Sequence, residues 1–220
     1  MFLTKIVEDP HFFTYVVVTM VISVVLHELA HGWAAIWQGD RTPIELGHMT
    51  IDPRVHMGWT SLAMLCFVGT CFGSMPVDPS RFRHRRSYVI LAAAGPLMNL
   101  GLALLALTGL AIWLMGTAEG EPASPTGENL RNFVWTIGYS NIALFLFNMV
   151  PVPPLDGSTV LAGFHRGYAR MVESVRNPAT FLIAFMFVFT LLASSDYGLF
   201  AVSTRVSQGY LDTVYAIAGR

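Results

Sequence analysis

His27-Glu28-Leu29-Ala30-His31 lies near the end of a stretch that is otherwise apolar from Phe12 to Trp37 and stops at Gln38-Gly39-Asp40. A membrane-spanning helix needs roughly 20 mostly apolar residues, and this stretch is long enough. In a helix of 3.6 residues per turn, His27 and His31 project from one face. That spacing lets two imidazole nitrogens bind one zinc ion at about 2.0–2.1 Å. Glu28 falls on a neighbouring part of the surface and can reach a water without occupying the metal. This is the HExxH arrangement, in which the glutamate serves as general base. So short a pattern also arises by chance. Here, however, each polar group lies inside a hydrophobic span, where an ionised side chain costs about 2.5–3.5 kcal/mol on insertion scales. A divalent metal offsets that cost.

The composition agrees with a lipid setting. Hydrophobic residues make up 54% of the 220 residues and charged residues 12%, against roughly 25% charged in soluble domains. So few charges cannot cover a water-soluble globule. No basic run alternates with aromatics, which argues against nucleic acid as a partner. Cys66 and Cys71 form no CxxC pair and read as small apolar fillers. Lys5 is followed by Glu8 and Asp9, and cleavage after the first apolar run would strand the histidines. The segment therefore reads as a retained helix rather than a signal peptide.

Further spans are expected at 87–115, 131–150 and 178–195, the last with Pro178 at a first helical turn. Residues 60–75 are apolar but short, and hold Gly69, Gly73 and Pro76; they either cross as a short helix or re-enter. Residues 196–220 mix Asp196, Arg205 and Asp212 with apolar residues, as an interfacial helix or a last short span would. Residues 41–59 carry Pro43, Gly47, Pro53 and Gly58 with alternating Ile44, Leu46 and Met49, the pattern of a small β-hairpin or irregular loop. The expected fold is thus an all-α polytopic membrane protein of about five to six transmembrane or re-entrant segments, with a β-hairpin-like insertion at about 41–59. Residues 1–220 are expected to form a single membrane-embedded domain.

Charge suggests the orientation. Arg81, Arg83, Arg85 and Arg86 precede the 87–115 span, and Arg166, Arg170 and Arg176 precede the 178–195 span. The 116–130 loop has Glu119, Glu121 and Glu128 and no basic residue. By the positive-inside rule the arginine loops face the cytoplasm. The first span then runs inward, with Arg41 and Arg54 inside, provided that 60–75 re-enters.

A catalytic zinc usually has three protein ligands and one open position. The best third candidate is Asp156, in Asn148-Met149-Val150-Pro151-Val152-Pro153-Pro154-Leu155-Asp156-Gly157. The prolines remove backbone donors and force an extended path. At membrane depth such backbone is tolerated only within protein or beside water. The alternative for Asp156 is a helix cap just outside the membrane. The residues alone therefore point to an integral-membrane zinc metallohydrolase, with His27, His31 and Asp156 on one Zn2+ and Glu28 as base.

The HExxH segment and Asn148 to Gly157 together resemble the site-2 protease family of intramembrane zinc metalloproteases, marked by HExxH on one helix and NxxPxPxLDG on a later one. Ile51-Asp52-Pro53-Arg54-Val55-His56 resembles the DPxxH segment of that family's compact prokaryotic branch. Phe72-Gly73-Ser74-Met75-Pro76-Val77-Asp78-Pro79 resembles its FGWAKPVPVNP stretch, without the lysine and with Asp78 for an asparagine. Ala94-Gly95-Pro96-Leu97-Met98-Asn99 resembles its AGPxxN element. The resemblance covers roughly residues 20–160, and no regulatory domain such as a PDZ insert is expected.

It implies a zinc metalloendopeptidase acting within or near transmembrane segments of other proteins in a prokaryotic cell membrane, its active site nearer the cytoplasmic side. Glu28 would take a proton from the attacking water and pass one to the leaving amine. Asn148 would hold substrate backbone or stabilise an oxyanion, or else make an interhelical hydrogen bond. His56 would bind substrate or line the path to the metal, or else lie in a solvated loop. Asn99 reads as interhelical glue. An edge strand from 41–59 could hold an unwound substrate. The expected partners are a transmembrane protein substrate and the lipid bilayer, with homo-oligomerisation left open. A non-enzymatic metal-binding sensor would not need Glu28, and no inverted repeat supports a transporter.

Overall fold

The structure is a computed structural model that describes residues 2–84, 87–116, 124–175, 178–193 and 198–219. Every regular element among these residues is helical. A short α1 (Lys5–Glu8) leads into α2 (Pro10–Gln38). Asp9 caps α2 by accepting from Phe12 N at 2.9 Å, and Pro10 sits in its first turn, where a missing N–H costs nothing. Gly39 ends α2 in the left-handed conformation, with φ 104°. The helix has 29 residues and a length of about 44 Å at 1.5 Å per residue.

The 41–59 segment is not a hairpin. It contains α3 (Thr42–Glu45), a loop, and the start of α4 (Pro53–Val68). Proline decides the difference. Pro43 and Pro53 both occupy first-turn positions, and Asp52 caps α4 by accepting from Arg54 N. A strand at 41–59 could not have used either proline as a ladder donor. The edge strand expected there for substrate binding is therefore not formed.

Residues 60–75 go out and come back. α4 is broken at Gly58, whose φ of 64° and ψ of 169° are non-helical. The chain beyond α4 then returns without regular structure. Ser61 Oγ donates to Phe72 O (2.6 Å) and accepts from Phe72 N (2.8 Å), and Ser74 N donates to His56 O (3.0 Å). The start of α4 and the returning 72–74 strap thus lie side by side.

α5 (Ser87–Gly116) runs antiparallel to α2, and α6 (Pro125–Asn148) antiparallel to α5. α7 (Asp156–Phe164), α8 (Arg166–Ser174), α9 (Pro178–Ala193) and α10 (Leu199–Ile217) follow. Leu107, Leu110 and Ala111 of α5 and Leu211 of α10 form a buried cluster, joined by Val134 and Trp135 of α6. Phe200 meets Tyr139, so α10 runs antiparallel to α6 within the bundle rather than apart from it.

Among the described residues, α2 and α5 are long and apolar enough to cross a membrane. α6 has the length but carries Asn132, Asn141 and Asn148, and α9 is apolar but has 16 residues. Trp33, Trp37, Leu105, Ile112 and Phe187 lie exposed on the outside of the bundle, where lipid rather than water would suit them. Arg85, Arg86, Glu119, Glu121, Arg176 and Asp196, which carry part of the charge pattern, lie outside the described residues.

Candidate metal centre

Three elements converge on one point. α2 supplies His27, Glu28 and His31, all buried. α7 begins at Asp156, which the Pro-rich loop after α6 carries in. α5 passes behind the two imidazoles. His27 Nε2 lies 3.2 Å from Asp156 Oδ2, His31 Nε2 lies 3.4 Å from the same oxygen, and the two Nε2 atoms are 3.0 Å apart. This is the one group of three such ligand side chains found among the described residues.

The outer ring nitrogens indicate what the inner ones can do. His31 Nδ1 lies 2.7 Å from Leu91 O. A backbone carbonyl only accepts, so that Nδ1 carries the proton and donates it. His27 Nδ1 lies 2.6 Å from Asn99 Oδ1 and donates likewise. Each Nε2 of a neutral ring then presents a lone pair to the other at 3.0 Å. Two lone pairs and a carboxylate oxygen facing one another repel unless a cation lies between them. Ligands held by zinc at about 2.0–2.1 Å in a tetrahedron stand roughly 3.3 Å apart, close to the spacing here. Histidine ligands that donate the other ring N–H to a fixed acceptor are the usual arrangement at zinc.

Gly95 is where α5 comes nearest to the two rings. A Cβ at position 95 would lie 2.5 Å from His27 Nε2 and would also overlap His31 Nε2. It would press on the rings themselves, His27 Cε1 as well as the two Nε2 atoms, so only glycine lets α5 pass this close to the imidazoles. Gly95→Ala is therefore expected to displace at least one imidazole. A shift near 1 Å at a reacting centre costs about 100-fold in rate, and cleavage assays paired with bound-zinc determination would measure both losses.

The 69–78 strap closes the site over Glu28. A Cβ on Gly73 would lie 2.6 Å from Glu28 Oε1 and 2.7 Å from its Cγ, so the strap's backbone rests directly on the carboxylate side chain. Asp40 secures the strap's far end. It is fully buried and accepts from Thr42 N (2.9 Å), Thr42 Oγ1 and Asp78 N (2.7 Å). Arg81 pairs with Glu45 at 2.6 Å and with Asp78 at 3.2 Å. Arg54 and the backbone of its own helix start hold the Asp52 carboxyl down to about 2, so it stays charged as a cap.

The remaining expected residues fall as follows. His56 is buried, not solvated; its Nε2 lies 2.6 Å from Thr50 O, while its Nδ1 is buried without a partner. Asn148 ends α6, and its Nδ2 donates to Leu144 O of its own helix at 3.1 Å. Asn99 joins helices as expected and in addition touches His27 Nδ1. Asn141 and Ser23, which no motif marks, lie buried beside it. The polar residues Asn141 and Ser23 in apolar helices were the available signal.

Comparison with known proteins agrees with this geometry. The model of peptidase family M50 matches residues 15–121 and 114–193. The chain belongs to peptidase family M50, the site-2 protease family. "Putative zinc metalloprotease YwhC" of Bacillus subtilis is 33% identical over 151 residues, 67% of this chain and 67% of that protein. "Putative zinc metalloprotease Rip2" of Mycobacterium tuberculosis is 24% identical over 155 residues, 68% of this chain. The match spans only 56% of the length of Rip2. No solved structure matches the chain. Membership assigns this M50 chain to the zinc metalloproteases, and the two long apolar helices fit a membrane-embedded family.

Proposed function

We propose that this chain is a zinc-dependent intramembrane endopeptidase that hydrolyses peptide bonds within or near transmembrane segments of membrane proteins. The observation that carries the reading is the convergence of His27 Nε2, His31 Nε2 and Asp156 Oδ2 beside a buried Glu28 that is not itself a ligand. His27, His31 and Asp156 would hold one Zn2+. Zinc bound there would polarise the scissile carbonyl and make water a better nucleophile near neutral pH.

The chain's own groups do the rest. Glu28 takes a proton from the attacking water and returns one to the leaving amine. Its seat under the 69–78 strap keeps the carboxylate next to the ligand face of α2. His56, whose unpartnered Nδ1 is closed off from the surface, would accept from substrate backbone only when binding uncovers it, and Asn148 at the end of α6 is a polar group for substrate or oxyanion. A helical substrate must unwind before its amides are accessible.

Depth supports a site nearer the cytoplasmic side of a prokaryotic cell membrane. His31 lies seven residues before the end of α2, about 10 Å at 1.5 Å per residue. Arg41 follows that end directly and Arg81 and Arg83 lie against it, the side the positive-inside rule assigns to the cytoplasm.

Purified protein in liposomes with a panel of transmembrane substrates tests the reading. Cleavage is expected to cease on zinc chelation and to return when zinc is restored. Wild-type protein holding stoichiometric zinc but cleaving nothing in the panel would favour a metal-binding sensor instead.

A further inference from the structure

His27 can bind a metal through Nε2 only if its proton sits on Nδ1. The partner of Nδ1 is an amide, and an amide can face either way. Turned one way, Asn99 offers an oxygen and holds the useful tautomer. Turned the other way, it offers an N–H, which would force the proton onto Nε2 and block the metal. Something has to choose.

The choice traces back through buried contacts to backbone carbonyls. Asn141 Nδ2 lies 2.9 Å from Ile137 O and 2.9 Å from Ser23 Oγ. Ile137 O only accepts, so the Asn141 nitrogen must face it, and the Asn141 oxygen must face Asn99. Asn99 Nδ2 donates to that oxygen at 2.9 Å and lies 3.5 Å from Ser23 O, a second carbonyl. The Asn99 oxygen is thereby turned to His27 Nδ1 at 2.6 Å. Asn99 and Asn141 are fully buried and Ser23 almost so, which leaves no water to satisfy either amide the wrong way round. Such networks are costly unless every member is paired, and this polarity pairs them.

We infer that Asn99 and Asn141 form an amide relay between α5 and α6 that holds His27 in the Nδ1–H tautomer, with Asn141 a positioning residue one step removed from the metal ligand. The inference rests on the metal site proposed above. Its mechanism, though, is a proton location that can be read without metal.

The experiment uses full-length protein labelled with 15N-histidine, freed of zinc, in detergent under alkaline conditions where the imidazoles are neutral. The His27→Gln variant assigns the His27 signals. Wild type is expected to show one His27 tautomer, Nδ1–H. Asn141→Leu is expected to show a mixture and to bind zinc about 10-fold more weakly in chelator competition, the lower end of the 10–100-fold effects of outer groups at metal sites.

The double variant Asn99→Asp/Asn141→Leu separates relay from packing. A carboxylate has no donor end, so it cannot face His27 the wrong way and needs no orienting partner. It is expected to restore the single tautomer and most of the zinc affinity, which a packing defect at position 141 would not allow. A folded Asn141→Leu protein with one tautomer and wild-type zinc affinity would overturn the relay, as would failure of the double variant to restore the tautomer. Wild type that keeps the single tautomer but binds no zinc would support the relay and overturn the metal reading instead.

Discussion

Glu28→Gln is expected to lower turnover by about 100- to 10,000-fold, the range for loss of a positioned general base, while zinc content stays at the wild-type level. Glutamine matches glutamate in size, and the Gly73 backbone lies against the side chain. The substitution therefore keeps the packing and removes only the proton acceptor. His27, His31 and Asp156 keep their mutual spacing because none depends on Glu28 for a hydrogen bond. Single-turnover cleavage together with bound-zinc determination is the measurement. A variant that loses zinc as well as activity would show that Glu28 helps to hold the metal and is not simply the base.

Asp156→Ala is expected to lose both zinc and cleavage. Two histidines on one helical turn make an incomplete zinc site, since a catalytic zinc usually takes three protein ligands. The third arrives on a different element, α7, so it also ties α7 to α2. A ligand present at 100 times its Kd stabilises the folded state by about 2.7 kcal/mol. Zinc is thus expected to raise the unfolding temperature of wild type and not of Asp156→Ala. A zinc-dependent rise retained in the variant would assign the third ligand elsewhere.

These two expectations differ in how far the residues alone support them. His27, Glu28 and His31 are legible because helical periodicity places them without reference to the rest of the fold. Asp156 is legible as a candidate because three prolines at membrane depth demand an explanation. The β-hairpin expected at 41–59 failed for a local reason. Thr42-Pro43 and Asp52-Pro53 are helix-start signals, and they prevail over the alternation of Ile44, Leu46 and Met49. The role of Gly95 was visible only as part of a motif, and its reason is steric.

Legible in the sequence alone are therefore two imidazoles and a carboxylate on one helix turn, in a chain with 54% hydrophobic and 12% charged residues. Spacing along a helix and the cost of polar groups in lipid are local properties, so they need no tertiary contacts to be read. The convergence of these groups comes from the packing of separate helices. Asp156 reaches the imidazoles because the loop after α6 turns back onto α2, Gly95 lets α5 pass close against both rings, and Ile137 O orients Asn141, Asn99 and His27 in turn. Those effects depend on which helices pack side by side and at what register, and no spacing within one segment specifies that.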